Sequence, residues 1–251
     1  MGQKLGQHFL INQSAAKKIV AGLEINLSDT IIEIGPGRGE LTKHIIRLDP
    51  QKIIAVEKDE QLARRLKTSF PKIKIIESDI LDVLADLKMP AKIIGNIPYY
   101  LTGQLLRRLS ELQPRPLVIV LTVQKEVGLR LTAQPPKMNL LAASIQYWAQ
   151  PEILGFILKT DFQPAPKVNS AIIRLKPRIA EPTDKQADEK YYQLIKILFK
   201  QPRKTILNNL VSGFKKDKNE IKKIIKKIGV NPLLRPQNLT IENIIKLKEV
   251  F

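Results

Sequence analysis

Ile31-Ile32-Glu33-Ile34-Gly35-Pro36-Gly37-Arg38-Gly39 is the stretch whose reading decides the fold. A β-branched run leads directly into a turn with glycine at every second position. That pattern predicts a strand whose carboxyl end opens on a site for a nucleotide-like molecule. Short apolar runs recur at Ile53 to Val56, Ile73 to Ile76, Ile93 to Ile94 and Leu117 to Val120. Such continuous apolar character is expected of parallel strands covered on both faces. Between the runs, Glu40 to Leu48, Glu60 to Ser69 and Thr102 to Leu112 carry helical spacing, giving successive βαβ units with right-handed crossovers. The rhythm then changes. Ile145 to Ile157 and Ala171 to Leu175 read as strands with no obvious helix between them, an antiparallel addition at one edge. The expected architecture is α/β with a mixed seven-stranded sheet.

Composition sets the partner class. At 251 residues and 43% hydrophobic, the chain can bury one full core and carry a small appendage. Its 42 Lys and Arg against 24 Asp and Glu give a net charge of +18, far beyond what solubility requires. Such an excess points to a polyanion, most simply nucleic acid. An anionic membrane surface is the rival partner. Against it, no apolar run approaches the roughly 20 residues that span a bilayer, and Met1-Gly2-Gln3-Lys4-Leu5-Gly6-Gln7 lacks a signal-peptide core. A soluble, cytoplasmic protein is expected. With no cysteine there can be no disulfide, catalytic thiol or cysteine metal site, and two histidines far apart in sequence do not suggest zinc, so no metal is expected.

Arg178-Ile179-Ala180-Glu181-Pro182-Thr183-Asp184 is polar, contains proline and reads as a linker. It separates a main domain, residues 1–178, from a helical domain, residues 185–251, that has sixteen Lys and Arg against six Asp and Glu. The clearest helix there ends at Gly229. Ile221, Ile224, Ile225 and Ile228 fall on one face, and Lys222, Lys223, Lys226 and Lys227 on the other. That lysine face is either solvated surface or a contact for RNA phosphates.

The glycine turn can be read chemically. Gly35 and Gly37 let the backbone approach a ligand closely, and Glu57, ending the second strand, is placed to accept hydrogen bonds from ribose hydroxyls. Nicotinamide enzymes share that much. Here, however, Glu40 stands where the dinucleotide fingerprint needs a small residue. A carboxylate there would repel a pyrophosphate but tolerate the zwitterionic methionine end of S-adenosylmethionine. Asp79, after the third strand, is suited to the adenine amine of that cofactor.

Gly95-Asn96-Ile97-Pro98-Tyr99-Tyr100 follows the fourth strand, where open α/β sheets place their chemistry. An aryl amine is a poor nucleophile because its lone pair is delocalised into the ring. Two acceptors on its N–H groups, the Asn96 side-chain oxygen and the Ile97 carbonyl, would pull the nitrogen toward tetrahedral geometry and free that pair. Pro98 rigidifies the turn, and Tyr99 would stack on a base held out of its helix. Positioning against a sulfonium supplies much of the rate, so no general base is obligatory. The residues point to methyl transfer from S-adenosylmethionine to an adenine amine.

The chain resembles the KsgA family of rRNA adenine N6,N6-dimethyltransferases over nearly its whole length. Gly6-Gln7-His8-Phe9-Leu10, Glu33-Ile34-Gly35-Pro36-Gly37, Val56-Glu57-Lys58-Asp59, Asn96-Ile97-Pro98-Tyr99, Gln124-Lys125-Glu126-Val127 and Phe162-Gln163-Pro164-Ala165-Pro166-Lys167-Val168 carry the resemblance. It implies a Rossmann-like methyltransferase domain with a small all-helical C-terminal domain. It also implies transfer of four methyl groups to two adjacent adenosines in a hairpin near the 3′ end of small-subunit (16S) rRNA. The implied partners are that rRNA and the immature small ribosomal subunit; a monomer is the default expectation, which the residues do not determine. By resemblance, His8, Leu10, Gly35, Glu57, Asp79 and Asn96 fall on cofactor-contacting positions, and Phe162 covers the target base opposite Tyr99. Tyr100 stands where Asn is usual and Asn169 where Asp is usual, and Pro135-Pro136-Lys137-Met138-Asn139 lacks the Tyr-Gly common before the following helix.

Three other readings compete. The Erm group, which methylates large-subunit rRNA and confers macrolide resistance, shares the cofactor site and Asn-Ile-Pro-Tyr. Phe199 to Leu210 and Arg235-Pro236-Gln237-Asn238-Leu239 instead resemble the small-subunit enzymes. A mainly non-catalytic assembly factor would use the same basic domain, but would not need Asn96, Tyr99, Glu57 and Asp79. A nicotinamide oxidoreductase explains neither the charge nor Asn-Ile-Pro-Tyr.

Overall fold

A computed structural model describes residues 7–86, 89–178 and 185–251; most of the expected linker, 179–184, lies outside the described residues. The strands are β1 (Phe9–Leu10), β2 (Thr30–Ile34), β3 (Lys52–Glu57), β4 (Lys74–Glu77), β5 (Lys92–Asn96), β6 (Ile119–Gln124), β7 (Ala149–Ile157), β8 (Phe162–Gln163) and β9 (Ser170–Pro177). Helices α1 (Gln13–Ala21), α2 (Thr42–Ile46), α3 (Glu60–Ser69), α4 (Ile80–Ala85), α5 (Thr102–Glu111), α6 (Lys125–Leu131) and α7 (Leu140–Gln146) intervene. The chain ends in α8 (Lys185–Leu198), α9 (Ile206–Phe214), α10 (Lys218–Lys227) and α11 (Ile241–Lys248).

Two compact units result. The first takes the described residues up to Gly128 together with Gln150–Pro177; the second takes Leu129–Ala149 together with the described residues from Arg178 to Phe251. Within the first, seven strands form one sheet in the order β4-β3-β2-β5-β6-β9-β7. The central pairs from β4 to β6 are parallel, and β9 runs antiparallel to β6. Every residue of β2 is buried, as its β-branched run requires. Chain order reverses between β2 and β5, so the crevice of this sheet opens at their carboxyl ends. A two-stranded antiparallel ribbon of β1 and β8, absent from the sequence reading, pairs Leu10 with Phe162.

Two expectations need correction. Ile145 and Gln146 belong to α7, not to a strand: Asn139 caps that helix by accepting from the Ala142 N–H, and Ala142, Ala143 and Ile145 are buried. The strand starts only at Ala149. Residues 129–149, placed by the sequence in the main domain, fall in the second unit. There Tyr147 stacks on Tyr191 with ring centres 3.8 Å apart, and the Tyr191 hydroxyl donates to the Ala143 carbonyl at 2.8 Å. These contacts are long-range and leave no local periodicity.

Lys92 opens β5 as a charge in a buried strand. Its Nζ lies 2.7 Å from the Asp29 carboxylate, with both side chains less than a tenth exposed, and also donates to the Glu24 carbonyl. Removing one partner strands the other charge. Lys92→Ala is expected to lower stability by about 3–5 kcal/mol in urea unfolding, and the double change Lys92→Met with Asp29→Leu to recover most of that loss.

Candidate active site

The glycine turn after β2 has Gly35, Gly37 and Gly39 at φ +59°, +59° and +84°. A Cβ on Gly39 would overlap the Phe70 ring, so this glycine is needed for packing as well as for its backbone angle. The turn borders a cavity of about 260 Å³. Every residue proposed from the sequence lines it: His8, Leu10, Gly35, Gly37, Glu57, Asp79, Asn96, Ile97, Pro98, Tyr99 and Phe162.

Carboxylates converge there from three neighbouring strands. The Glu57 oxygens accept from the Gly37 N–H at 3.0 Å and the Asp59 N–H at 2.9 Å; burial pushes this carboxyl up, and those backbone bonds oppose the shift. Asp79 caps α4 through the Leu81 N–H and pairs with Lys58 Nζ at 2.9 Å. The cap and then the lysine hold its carboxyl below the usual range. Glu40 also lines the cavity, but it is paired with Lys43 at 2.8 Å.

Glu33 stands in the Glu33-Ile34-Gly35-Pro36-Gly37 motif, but nothing in the residues marks it for a role. It is fully buried, and the Thr42 hydroxyl donates to its Oε2 at 2.7 Å, while Oε1 has no partner among the described residues. Burial pushes its carboxyl up to about 7.

The Asn96 motif is held from both sides. Asn96 Nδ2 donates to the His8 carbonyl at 3.0 Å, and its Oδ1 accepts from the Thr122 hydroxyl at 2.5 Å. Thr122 carries no sequence signal, because β5–β6 pairing alone sets it opposite Asn96. Pro98 leads into a single 3-10 turn, Tyr99–Leu101, that carries Tyr99 and Tyr100 to the cavity. The Tyr99 hydroxyl meets Ser170 Oγ at 2.7 Å, and its ring lies 6.0 Å from that of His8. His8 Nδ1 in turn donates to the Pro164 carbonyl at 2.7 Å. Of the unusual positions, Tyr100 is exposed at the cavity, and Asn169 Oδ1 accepts from the Lys159 N–H as a carboxylate would.

The family model for ribosomal RNA adenine dimethylase matches residues 2–251. This chain belongs to that family. A relative named ribosomal RNA small subunit methyltransferase A, from Dehalococcoides mccartyi, is 34% identical over 95% of this chain and 84% of its own length. Another of that name from Levilactobacillus brevis is 36% identical over 99% and 89%. Among solved structures, a dimethyladenosine transferase from Plasmodium falciparum matches with TM-score 0.79 at 22% identity, covering 97% of this chain and 99% of that one. The 23S rRNA methyltransferase ErmE matches with TM-score 0.77 at 23% identity, covering 96% and 98%. At such identities these two establish the dimethylase fold, a mixed seven-stranded sheet followed by helices, and do not separate the substrates.

The raised Glu33 pKa has a measurable sign. Between its ordinary 4.5 and about 7, the folded protein binds a proton that the unfolded chain releases. This group's contribution therefore falls as pH rises through that window, by on the order of 3 kcal/mol. Glu33→Gln removes the dependence. In urea unfolding the variant is expected to gain on the unchanged protein by that order between pH 4.5 and pH 8; a constant difference would mean the carboxyl ionises normally.

Proposed function

We propose that this chain dimethylates the N6 amines of two adjacent adenosines in a hairpin near the 3′ end of small-subunit (16S) rRNA, using S-adenosylmethionine. The observation that carries this reading is the convergence of Asn96, Tyr99 and Phe162 on the same cavity as the strand-end carboxylates. The names of the curated relatives support the small-subunit target.

The lining suits the cofactor. Glu57 and Asp79 make the cavity acidic, and Glu33 can ionise against a cation placed beside it, which favours a cationic amino acid and sulfonium and disfavours the pyrophosphate of a dinucleotide. Glu33 Oε1, buried and unpartnered, fits the ammonium; Glu57 fits the ribose hydroxyls and Asp79 the adenine amine. His8, Leu10, Gly35 and Gly37 shape the remaining wall. S-adenosylmethionine, when bound, supplies an electrophilic methyl group. Asn96 Oδ1 and the Ile97 carbonyl accept from the target amine, Pro98 fixes their turn, and Tyr99 and Phe162 hold the base by its two faces. Phe162 is only 4% exposed, so it serves as a fixed wall. Such positioning accounts for much of a rate enhancement without a general base.

The partner follows from charge. Lys222, Lys223, Lys226 and Lys227 all stand exposed on α10, while Ile221 and Ile225 are fully buried beneath them. We assign this face to rRNA phosphates, with the immature small subunit as the physiological target of a monomeric enzyme. Among the described residues no helix is long and apolar enough to cross a membrane. A cytoplasmic enzyme fits that partner.

The test is labelled S-adenosylmethionine with either undermethylated small subunits or large-subunit rRNA, the product being mapped by primer extension and nucleoside analysis. Dimethyladenosine at two adjacent small-subunit adenines is expected. Label in large-subunit rRNA would transfer the chain to the resistance enzymes, and binding without transfer would leave an assembly factor. Asn96→Ala is expected to keep rRNA affinity and lose methylation; a normal rate would refute the acceptor site. Changing the four α10 lysines to Gln is expected to lower the slope of log affinity against log salt by up to roughly 3, read by filter binding across a salt series.

A further inference from the structure

We propose that Thr122 is a positioning residue whose hydroxyl immobilises the Asn96 amide, in the orientation that the His8 carbonyl selects, so that Oδ1 is held where it meets the target amine. This deepens the adenine-N6 reading above and rests on it.

Thr122 lies in Ile119-Val120-Leu121-Thr122-Val123-Gln124, an otherwise apolar strand up to its last residue, and is fully buried. Valine would fill the same space, so packing does not call for the hydroxyl. A hydroxyl buried in such a strand must find a partner. It finds one across the β5–β6 ladder, where Asn96 and Thr122 are paired residues, and donates to Asn96 Oδ1 at 2.5 Å.

The opposite side of the amide agrees. Asn96 Nδ2 lies 3.0 Å from the His8 carbonyl, which can only accept. Flipping the amide would set two oxygens against each other at His8. The His8 carbonyl therefore selects the orientation, and the Thr122 hydroxyl, which can donate or accept, anchors Oδ1 in it. His8 belongs to the segment leading into the two-residue strand β1, whereas Thr122 belongs to the sheet itself. Thr122 is the rigid half of the clamp.

Counting valences shows what remains for a ligand. Oδ1 has two lone pairs and Nδ2 two hydrogens; one of each is taken, which leaves one acceptor and one donor on a side chain that lines the cavity. An acceptor beside a donor complements the amino edge of adenine, which offers an N–H beside a ring nitrogen, and opposes the keto edges of guanine and uracil. The contribution of Thr122 is thus positional: it holds the acceptor at the place where the amine must be gripped.

The test compares Thr122→Val, which is isosteric and lacks the hydroxyl, with Thr122→Ser, which keeps it; Thr122→Ala serves as a second hydroxyl-free variant should valine impair folding. Three quantities are read: kcat and KM on undermethylated small subunits, Kd for S-adenosylmethionine, and ps–ns mobility of the Asn96 side-chain amide by ¹⁵N relaxation. In Thr122→Val, kcat is expected to fall roughly tenfold or more, with KM and Kd little changed, and the amide to become mobile. Thr122→Ser is expected to restore both rate and rigidity. A Thr122→Val enzyme with undiminished kcat, or with an Asn96 amide as rigid as before, would overturn the proposal. If the unchanged protein does not methylate the subunit, that failure falls on the proposed function, and the relaxation measurement alone decides the role of Thr122.

Discussion

The pairing of β2 with β5 is the constraint on which the rest of the molecule depends. Ile34 sits opposite Gly95, so the glycine turn that follows one strand emerges beside Asn96 at the end of the other. The pairing tolerates nothing larger at position 95, because a Cβ there would lie 2.9 Å from the Ile34 carbonyl oxygen. Chain order reverses at this pair. The crevice at their carboxyl ends is a consequence of topology, and it exists before any side chain is chosen to line it.

What lines it runs against the charge of the whole chain. A protein with a net charge of +18 gathers Glu33, Glu57 and Asp79 at the ends of three adjacent strands. They are held in different ways. Asp79 is kept ionised by a helix cap and Lys58, whereas Glu33 keeps its proton up to about 7 because burial leaves it one hydroxyl and no charge partner. An acidic cavity inside a basic protein separates two tasks electrostatically: a small cation is drawn to the cavity, and a polyanion to the outer surface.

Much of this was legible in the residues. The β-branched runs located the central strands, with ends off by at most four residues, at β6, because a parallel strand buried on both faces leaves a continuous apolar signature. Gly35, Gly37, Glu57, Asp79 and Asn96 stood out because they end such runs. The face of α10 was legible for a similar reason: Ile221 and Ile225 recur at helical spacing, and the lysines occupy what remains. Glu33 and α7 were not. A carboxylate within an apolar run does not reveal whether its second oxygen is satisfied, and Leu140 to Gln146 is too short and too apolar for its period to separate helix from strand.

By itself the sequence determined the α/β class, the strand-end positions that carry polar groups, the basic helical C-terminal region and the absence of thiol chemistry. All of these follow from local composition and period. Tertiary structure decided the rest: that eleven residues from six stretches of chain share one cavity, that residues 129–149 pack with the C-terminal helices, and that Thr122 and the His8 carbonyl clamp Asn96. The physical reason is common to all three. Each depends on groups brought together by strand register and packing from distant stretches of chain, 26 and 88 positions apart at the Asn96 clamp, and at such separations neither propensity nor periodicity carries information.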